Sequence, residues 1–111
     1  MPTNEAAIEA EIQAKGLNAP RLTPQHIDDQ IAGEYFTRAS DAFVGAPIMD
    51  QLKCLTICVL VLKNGFMVTG ESACASPENF DAEIGRKIAR DNARNKIWAL
   101  EGYLFKSRLS A

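Results

Sequence analysis

Three arginines at regular spacing form the clearest chemical pattern in the chain. Arg86, Arg90 and Arg94 recur at i, i+4 and i+8, so a helix would place them on one face. Guanidinium groups present planar sets of N–H donors that bind phosphate oxygens well. The pattern is compatible with an anion-binding face. A solvated helix face would show the same spacing, and the sequence leaves both interpretations open.

The segment just before these arginines adds two further features of an anion site. Ser76 followed by Pro77 is typical of a helix N-cap and first helical residue, so the long helix is predicted to begin there. Backbone N–H groups at a helix start bind anions, and an aromatic ring such as that of Phe80 can stack on a base. The predicted ligand-binding residues are Ser76, Asn79, Phe80, Arg86, Arg90 and Arg94.

Residues that usually carry catalysis or bind metals are scarce. The chain has one histidine, His26, and three cysteines, Cys54, Cys58 and Cys74. Cys54 and Cys58 are four residues apart on one predicted strand, about 13 Å. That separation is too long for a disulfide or for one zinc tetrahedron. We therefore expect free thiols, no metal, no cofactor and no catalytic residue.

Length and charge narrow the function classes. A chain of 111 residues fits one domain with a small core, which oligomerisation often supplements. The net charge of −2 argues against a general nucleic-acid binder. No apolar run approaches the roughly 20 residues that span a bilayer, and the acidic start is unlike a secretory signal. Residues 81–111 are basic and the remainder is acidic, which favours self-association or an anionic ligand, although two solvated faces would give the same balance.

A β-hairpin is the strongest structural signal. Residues 52–62 are rich in β-branched and apolar side chains and lead into Asn64-Gly65. That dipeptide is favoured in two-residue type I′ turns, because both residues need positive φ. Residues 66–74 then form the returning strand.

The predicted turn sets the register of the hairpin. With two loop residues, Val61 faces Val68, and Cys74 falls on the sheet face opposite Cys54. Both faces of the first strand are apolar, so both must be covered. A helix can cover one face, and a second protomer or the N-terminal helices can cover the other.

Together these elements predict an α+β fold. An antiparallel hairpin, joined by a third strand if residues 34–39 pair with it, is packed by a long C-terminal helix. Short helices are predicted over residues 4–15 and 24–32, and the long helix is predicted to break at Gly102 and to be followed by a short terminal helix over residues 103–109. Gly85 is expected to permit close packing on the sheet. Residues 1–22 form an N-terminal helix and connector, and residues 23–111 form a single α+β domain.

Several unusual strings occur in a fixed order along the chain. An NGF turn is followed by TGESACASPENFD, EIGRKIAR and KIWALEGYL, and LTPQHIDDQIAGEYFTRASDAF lies upstream. Over residues 23–109 the chain resembles a family of small proteins of tailed phages and prophages, named after phage gene products forty-nine and sixty-six. Ala99 departs from the family pattern, which often has proline there. Without the proline, the resemblance supports a helix break at this position less strongly.

The resemblance implies a phage or prophage origin and a location in the host cytoplasm, but no activity. Small phage proteins often counter host defences, so we expect a non-enzymatic, homo-oligomeric binding protein. It would sequester a cyclic nucleotide or other phosphate-bearing signal between protomers. The alternative is an inhibitor or adaptor that docks on a host enzyme through the long helix or the Asp28/Asp29 face. A small enzyme is a third hypothesis, which the shortage of histidine opposes.

Overall fold

The computed structural model describes residues 4–111 and arranges them around a three-stranded antiparallel sheet. The elements are α1 (Glu5–Ala14), α2 (Pro24–Asp29), β1 (Ile31–Arg38), α3 (Ala39–Ala42), β2 (Leu55–Leu62), β3 (Met67–Ala73) and α4 (Ala82–Leu109). Short 3-10 turns cover Asp50–Cys54 and Pro77–Asn79. The strands lie in the order β1-β2-β3, and α4 packs across β2 and β3. The predicted α+β fold is therefore confirmed, with residues 34–39 largely within the third strand.

Burial alternates along the central strand, β2, because α4 covers only one side of the sheet. The core lies between α4 and the sheet and consists of Ile27, Cys58, Leu60, Leu62, Val68, Ala89, Ala93 and Ile97. The opposite side, here called the open face, is formed by Gly33, Tyr35, Thr37, Leu55, Ile57, Val59, Val61, Met67, Thr69, Glu71 and Ala73. Its β2 residues are only half-buried, and its β3 residues are exposed.

The turn between β2 and β3 has three residues rather than two. The Leu62 N–H donates to the Phe66 carbonyl at 2.8 Å, and the Gly65 N–H donates to the Leu62 carbonyl at 2.9 Å. Gly65 has a φ of 87°, whereas no non-glycine residue of the described chain has positive φ. Asn64 instead accepts the Phe66 N–H through its side-chain oxygen at 2.9 Å. This is a type I turn closed by a left-handed glycine, so the predicted type I′ turn is wrong.

The extra loop residue shifts the hairpin register by one. Val61 pairs with Met67 rather than Val68. Because side chains alternate with a period of two, every β3 residue moves to the other face. Cys74 therefore lies on the same side as Cys54, and its N–H donates to the Cys54 carbonyl at 3.0 Å. The predicted separation of these two cysteines is wrong.

Helix α4 begins and ends later than the sequence predicts. Its N-cap is Asp81, whose carboxylate accepts the Ile84 N–H at 3.0 Å. Ser76 opens only the 3-10 turn, and extended backbone at Phe80 separates that turn from α4. The predicted break at Gly102 is also wrong, since α4 continues to Leu109. A single glycine costs a helix only about 1 kcal/mol, which the surrounding helix formers outweigh.

The N-terminal helices match the prediction closely. Gly16, with a φ of 67°, follows α1. Thr23 caps α2 by accepting the His26 N–H at 3.1 Å, and Pro24 is the first helical residue. Helix α2 ends at Asp29 rather than near residue 32, because Ile31 already belongs to β1. Helix α1 has no buried residue, so polar contacts hold it in place.

Candidate anion-binding site

An open cleft lies where β1 ends beside the start of α4. Its volume is about 410 Å³, and it is lined by Phe36, Thr37, Arg38, Asp41, Thr56, Phe80, Ala82 and Arg86. Two arginines and two phenylalanines thus converge from three separate parts of the chain. Cationic groups beside aromatic rings can bind a ligand that combines a phosphate with a base.

The β1–β2 register explains how β1 supplies half of the cleft. Arg38 pairs with Thr56 and Phe36 pairs with Cys58, and both β2 partners are buried on the α4 side. Since paired residues project to the same face of a sheet, Phe36 and Arg38 also project toward α4. Phe80 precedes the helix cap at Asp81, which places its ring at the cleft.

Arg38 is held in a defined orientation. Its Nε donates to the Lys53 carbonyl at 2.6 Å. Its guanidinium carbon lies 3.8 Å from the centroid of the Phe80 ring, a cation–π contact. Its two terminal nitrogens donate no hydrogen bond to any residue between 4 and 111, so they are available to an anion in the cleft.

Arg86 supplies the second cation. Its side chain is exposed, and it forms no salt bridge with residues 4–111. The partial positive charge at the N-terminus of α4 acts in the same direction, since Ala82 also lines the cleft. Asp41 adds one carboxylate, which can accept hydrogen bonds from sugar hydroxyls or base amines.

The remaining predicted residues of the Ser76–Phe80 segment lie beside this cleft. The Ser76 hydroxyl donates to the Glu78 carboxylate and thereby lowers the pKa of Glu78. Asn79 and Phe80 line a smaller adjacent cavity of about 120 Å³. Phe80 thus borders both the cleft and the smaller cavity. Ser76 and Asn79 are not among the residues that line the cleft with Arg86.

The arginine stripe divides into three different environments. Arg86 faces the cleft, while Arg90 forms an ion pair with the Glu34 carboxylate on β1. Arg94 is only 8% exposed; it donates to Asp28 and to Glu5 at 2.7 Å each, and to the first carbonyl of α2 at 3.0 Å. These hydrogen bonds raise the pKa of Arg94 further above its ordinary value. A ligand-binding role for Arg90 or Arg94 stays a prediction, and both side chains already have carboxylate partners.

Sequence reasoning missed Phe36 and Arg38. The usable signal was the alternation of Glu34, Phe36 and Arg38 in the predicted third strand. Placing these side chains on the α4 side requires the pairing of β1 with β2, which the sequence alone did not provide.

His26 has a structural environment. Its Nε2 lies 2.7 Å from a Glu101 carboxylate oxygen, and it contacts the Gln30 side chain at 3.4 Å. The pair links α2 to α4 away from the cleft. Within residues 4–111, no three His, Cys, Asp or Glu side chains are grouped so that they could hold a metal ion.

Comparisons with known proteins place the chain in a family. No curated protein and no solved structure matches it. No helix within residues 4–111 is long and apolar enough to cross a membrane. A family model described as "Phage protein (N4 Gp49/phage Sf6 gene 66) family" matches residues 22–109, well over half of the chain. This confirms the resemblance found over residues 23–109, and the chain belongs to the phage protein family of N4 Gp49 and phage Sf6 gene 66.

Proposed function

We propose that this phage protein is a non-enzymatic binding protein that holds a phosphate-bearing, nucleotide-type molecule in the cleft at the start of α4. The observation that carries the proposal is the convergence of Arg38 and Arg86 with Phe36 and Phe80. Guanidinium groups suit phosphate oxygens, and phenylalanine rings suit a base. Sequestering such a signal in the host cytoplasm would counter a host defence.

The size and composition of the cleft support binding rather than turnover. About 410 Å³ lies within the range of roughly 300–1,000 Å³ seen for small-molecule sites. Among the residues of 4–111 that line it there is no histidine or cysteine, and Asp41 is the only one with a carboxylate. One cleft would hold one nucleotide unit, so the rest of a cyclic oligonucleotide would contact a second protomer.

Ligand binding should depend on both cleft arginines. We expect a cyclic dinucleotide, a cyclic trinucleotide or a cyclic ADP-ribose isomer to raise the melting temperature and to give a measurable Kd by calorimetry. Because each arginine supplies a charged phosphate contact, Arg86→Ala or Arg38→Ala should weaken that Kd at least tenfold.

Arg108→Ala is the matched control, since Arg108 is an exposed cation near the other end of α4. It should leave the Kd unchanged. Absence of binding by every one of these nucleotides to the wild-type protein would overturn the proposal. Equal losses in the Arg86 and Arg108 variants would instead indicate nonspecific charge attraction.

A second copy of the chain is the occupant we propose for the open face. The face carries a single charged residue, Glu71, together with aliphatic residues, Tyr35 and Met67. The cores of homodimer interfaces are similarly poor in charge and rich in such side chains. Helix α1 contacts α2 and the side chains of Arg94 and Trp98 on α4. It therefore does not cover the open face.

Charge placed at the centre of the open face should therefore split the oligomer. Val59 lies on β2 between Tyr35 and Thr69, so Val59→Lys should reduce the mass measured by light scattering to that of one chain. Ile8→Lys, an exposed aliphatic residue on α1, is the control and should keep the wild-type mass. A wild-type protein that is monomeric at high micromolar concentration would contradict self-association.

A host-protein inhibitor or adaptor is the second candidate function. The segment between α3 and β2 exposes apolar side chains, including Phe43, Val44 and Met49. Exposed apolar clusters often contact proteins. A stoichiometric complex with one host enzyme, abolished by Val44→Asp while nucleotides fail to bind, would favour this candidate over the first.

A further inference from the structure

We propose that Cys54 and Cys74 form a reversible disulfide, a redox modification site at the open end of the β2–β3 hairpin. The two residues directly oppose each other, since Leu55 pairs with Ala73 and the next backbone bond joins Cys74 N–H to the Cys54 carbonyl at 3.0 Å. Hydrogen-bonded antiparallel partners have Cα atoms about 5.5 Å apart. That distance lies in the range that a disulfide spans.

The two thiols share one environment. Both cysteines line the small cavity of about 120 Å³ on the α4 side of the sheet. Burial and the neighbouring Cys74 thiol raise the pKa of Cys54, so Cys54 reacts poorly unless an electrophilic sulfur is delivered beside it. Cys74 is half-buried, and its S–H donates to the Ser76 carbonyl at 3.3 Å. Both are free thiols in this structure.

The accessible thiol reacts first. The Cys74 thiolate attacks one sulfur of a small-molecule disulfide such as oxidised glutathione; a mixed disulfide forms and one glutathione thiol leaves. The Cys54 thiolate then attacks the Cys74 sulfur and releases the second glutathione thiol. Two protein thiols lose two electrons and two protons, and the small disulfide gains them. The reverse exchange with reduced glutathione restores both thiols.

Oxidation would remove a hydrogen bond at the start of the segment that leads to Phe80. A Cys74 sulfur in a disulfide has no proton to donate to Ser76, so the start of that segment loses one hydrogen bond. The bond also ties the strand ends together and reduces the freedom of the unfolded chain. The oxidised protein should therefore melt several degrees higher. The disulfide does not depend on the proposed nucleotide site, because its formation is measured by thiol labelling and mass and not by ligand binding.

The test is oxidation of the full-length protein with oxidised glutathione, followed by denaturation, maleimide labelling and intact-mass measurement. Reduced protein should take up three labels, one per cysteine. Oxidised protein should take up one, at Cys58, and lose the mass of two hydrogens. Cys58→Ala is the matched control: Cys58 is buried in β2, four residues after Cys54, and its loss should leave the disulfide intact.

Cys54→Ala and Cys74→Ala should each lose the intramolecular disulfide. Fragmentation of the linked wild-type peptide distinguishes Cys54 from Cys58, even if a variant fails to fold. A wild-type protein that still takes up three labels after oxidation would overturn the proposal. A persistent glutathione adduct at Cys74, a covalent dimer, or a linkage through Cys58 would each overturn it as well.

Discussion

Replacing Gly70 with alanine is expected to lower the free energy of unfolding by about 3 kcal/mol or more. A Cβ at this position on β3 would lie 2.3 Å from the Ala89 carbonyl oxygen and 2.3 Å from the Ala93 nitrogen. Both are backbone atoms of α4, so no side-chain rotation relieves the clash. The helix must move away from the sheet and uncover the core, and urea unfolding followed by circular dichroism would measure the loss.

Gly102→Ala is the matched control for this effect. No atom lies within 4 Å of the Cβ that the substitution would add, and the position is inside α4. The same change of residue should therefore raise stability by about 0.5–1 kcal/mol through helix propensity and reduced freedom of the unfolded chain. A Gly70→Ala protein within 1 kcal/mol of wild type would show that α4 can shift on the sheet without cost.

The contrast between two glycines shows what the sequence could predict. A glycine inside a helical pattern is conspicuous, and close packing at Gly85 is confirmed: its Cβ would lie 2.6 Å from the Thr56 hydroxyl oxygen. Gly70 is packed more tightly still, against helix backbone, but it sits in a strand, where its importance depends on which face it occupies. That face follows from the hairpin register, and the register was predicted incorrectly.

The register error has a definite physical origin. Asn64-Gly65 fits a two-residue turn with both residues at positive φ, and it also fits a three-residue turn in which only Gly65 has positive φ. Local preference does not decide between them. Strand periodicity placed both strands correctly, but packing under α4 selected Val68 as the buried residue. A difference of one residue in the turn moved Cys74 beside Cys54.

The candidate site was predicted in part for a similar reason. Helical spacing correctly placed three arginines along α4, but spacing does not reveal which of them meet carboxylates from distant segments. Phe80 and Arg86 do line the cleft. Arg90 and Arg94 meet carboxylates contributed by β1 and by the two N-terminal helices, contacts that exist only in the folded chain.

Replacing Arg94 with methionine is expected to lower the free energy of unfolding by about 2–3 kcal/mol. The buried guanidinium bridges Glu5 of α1 and Asp28 of α2, and its removal breaks both of these ion pairs. Because α1 has no buried residue, it should detach. Trp98, the only tryptophan, donates to Glu5 at 3.1 Å, so its fluorescence reports detachment while urea unfolding measures stability.

The hydrogen bond between Arg94 and Glu5 also makes stability depend on pH. The hydrogen bond from Arg94 lowers the pKa of Glu5 below its ordinary value of 4.5. A group with a lowered folded pKa contributes stability that is complete above its unfolded pKa and is lost as pH falls through the folded value. Wild-type protein should therefore lose stability as the pH falls below about 4.5. Arg94→Met removes the main cause of the shift and should lose less over the same interval.

Arg90→Met is the control that separates the framework role of Arg94, which is to hold α1 and α2 against α4, from the general effect of removing a charge. Its ion pair with Glu34 is one-third or more exposed on both sides, so its loss should cost about 1 kcal/mol or less. If Arg94 instead served the ligand, Arg94→Met would keep wild-type stability and the wild-type acid profile while losing nucleotide binding. That outcome would contradict a framework role for Arg94. Loss of stability with nucleotide binding preserved at neutral pH would show that Arg94 stabilises the fold and is not needed to recognise the ligand.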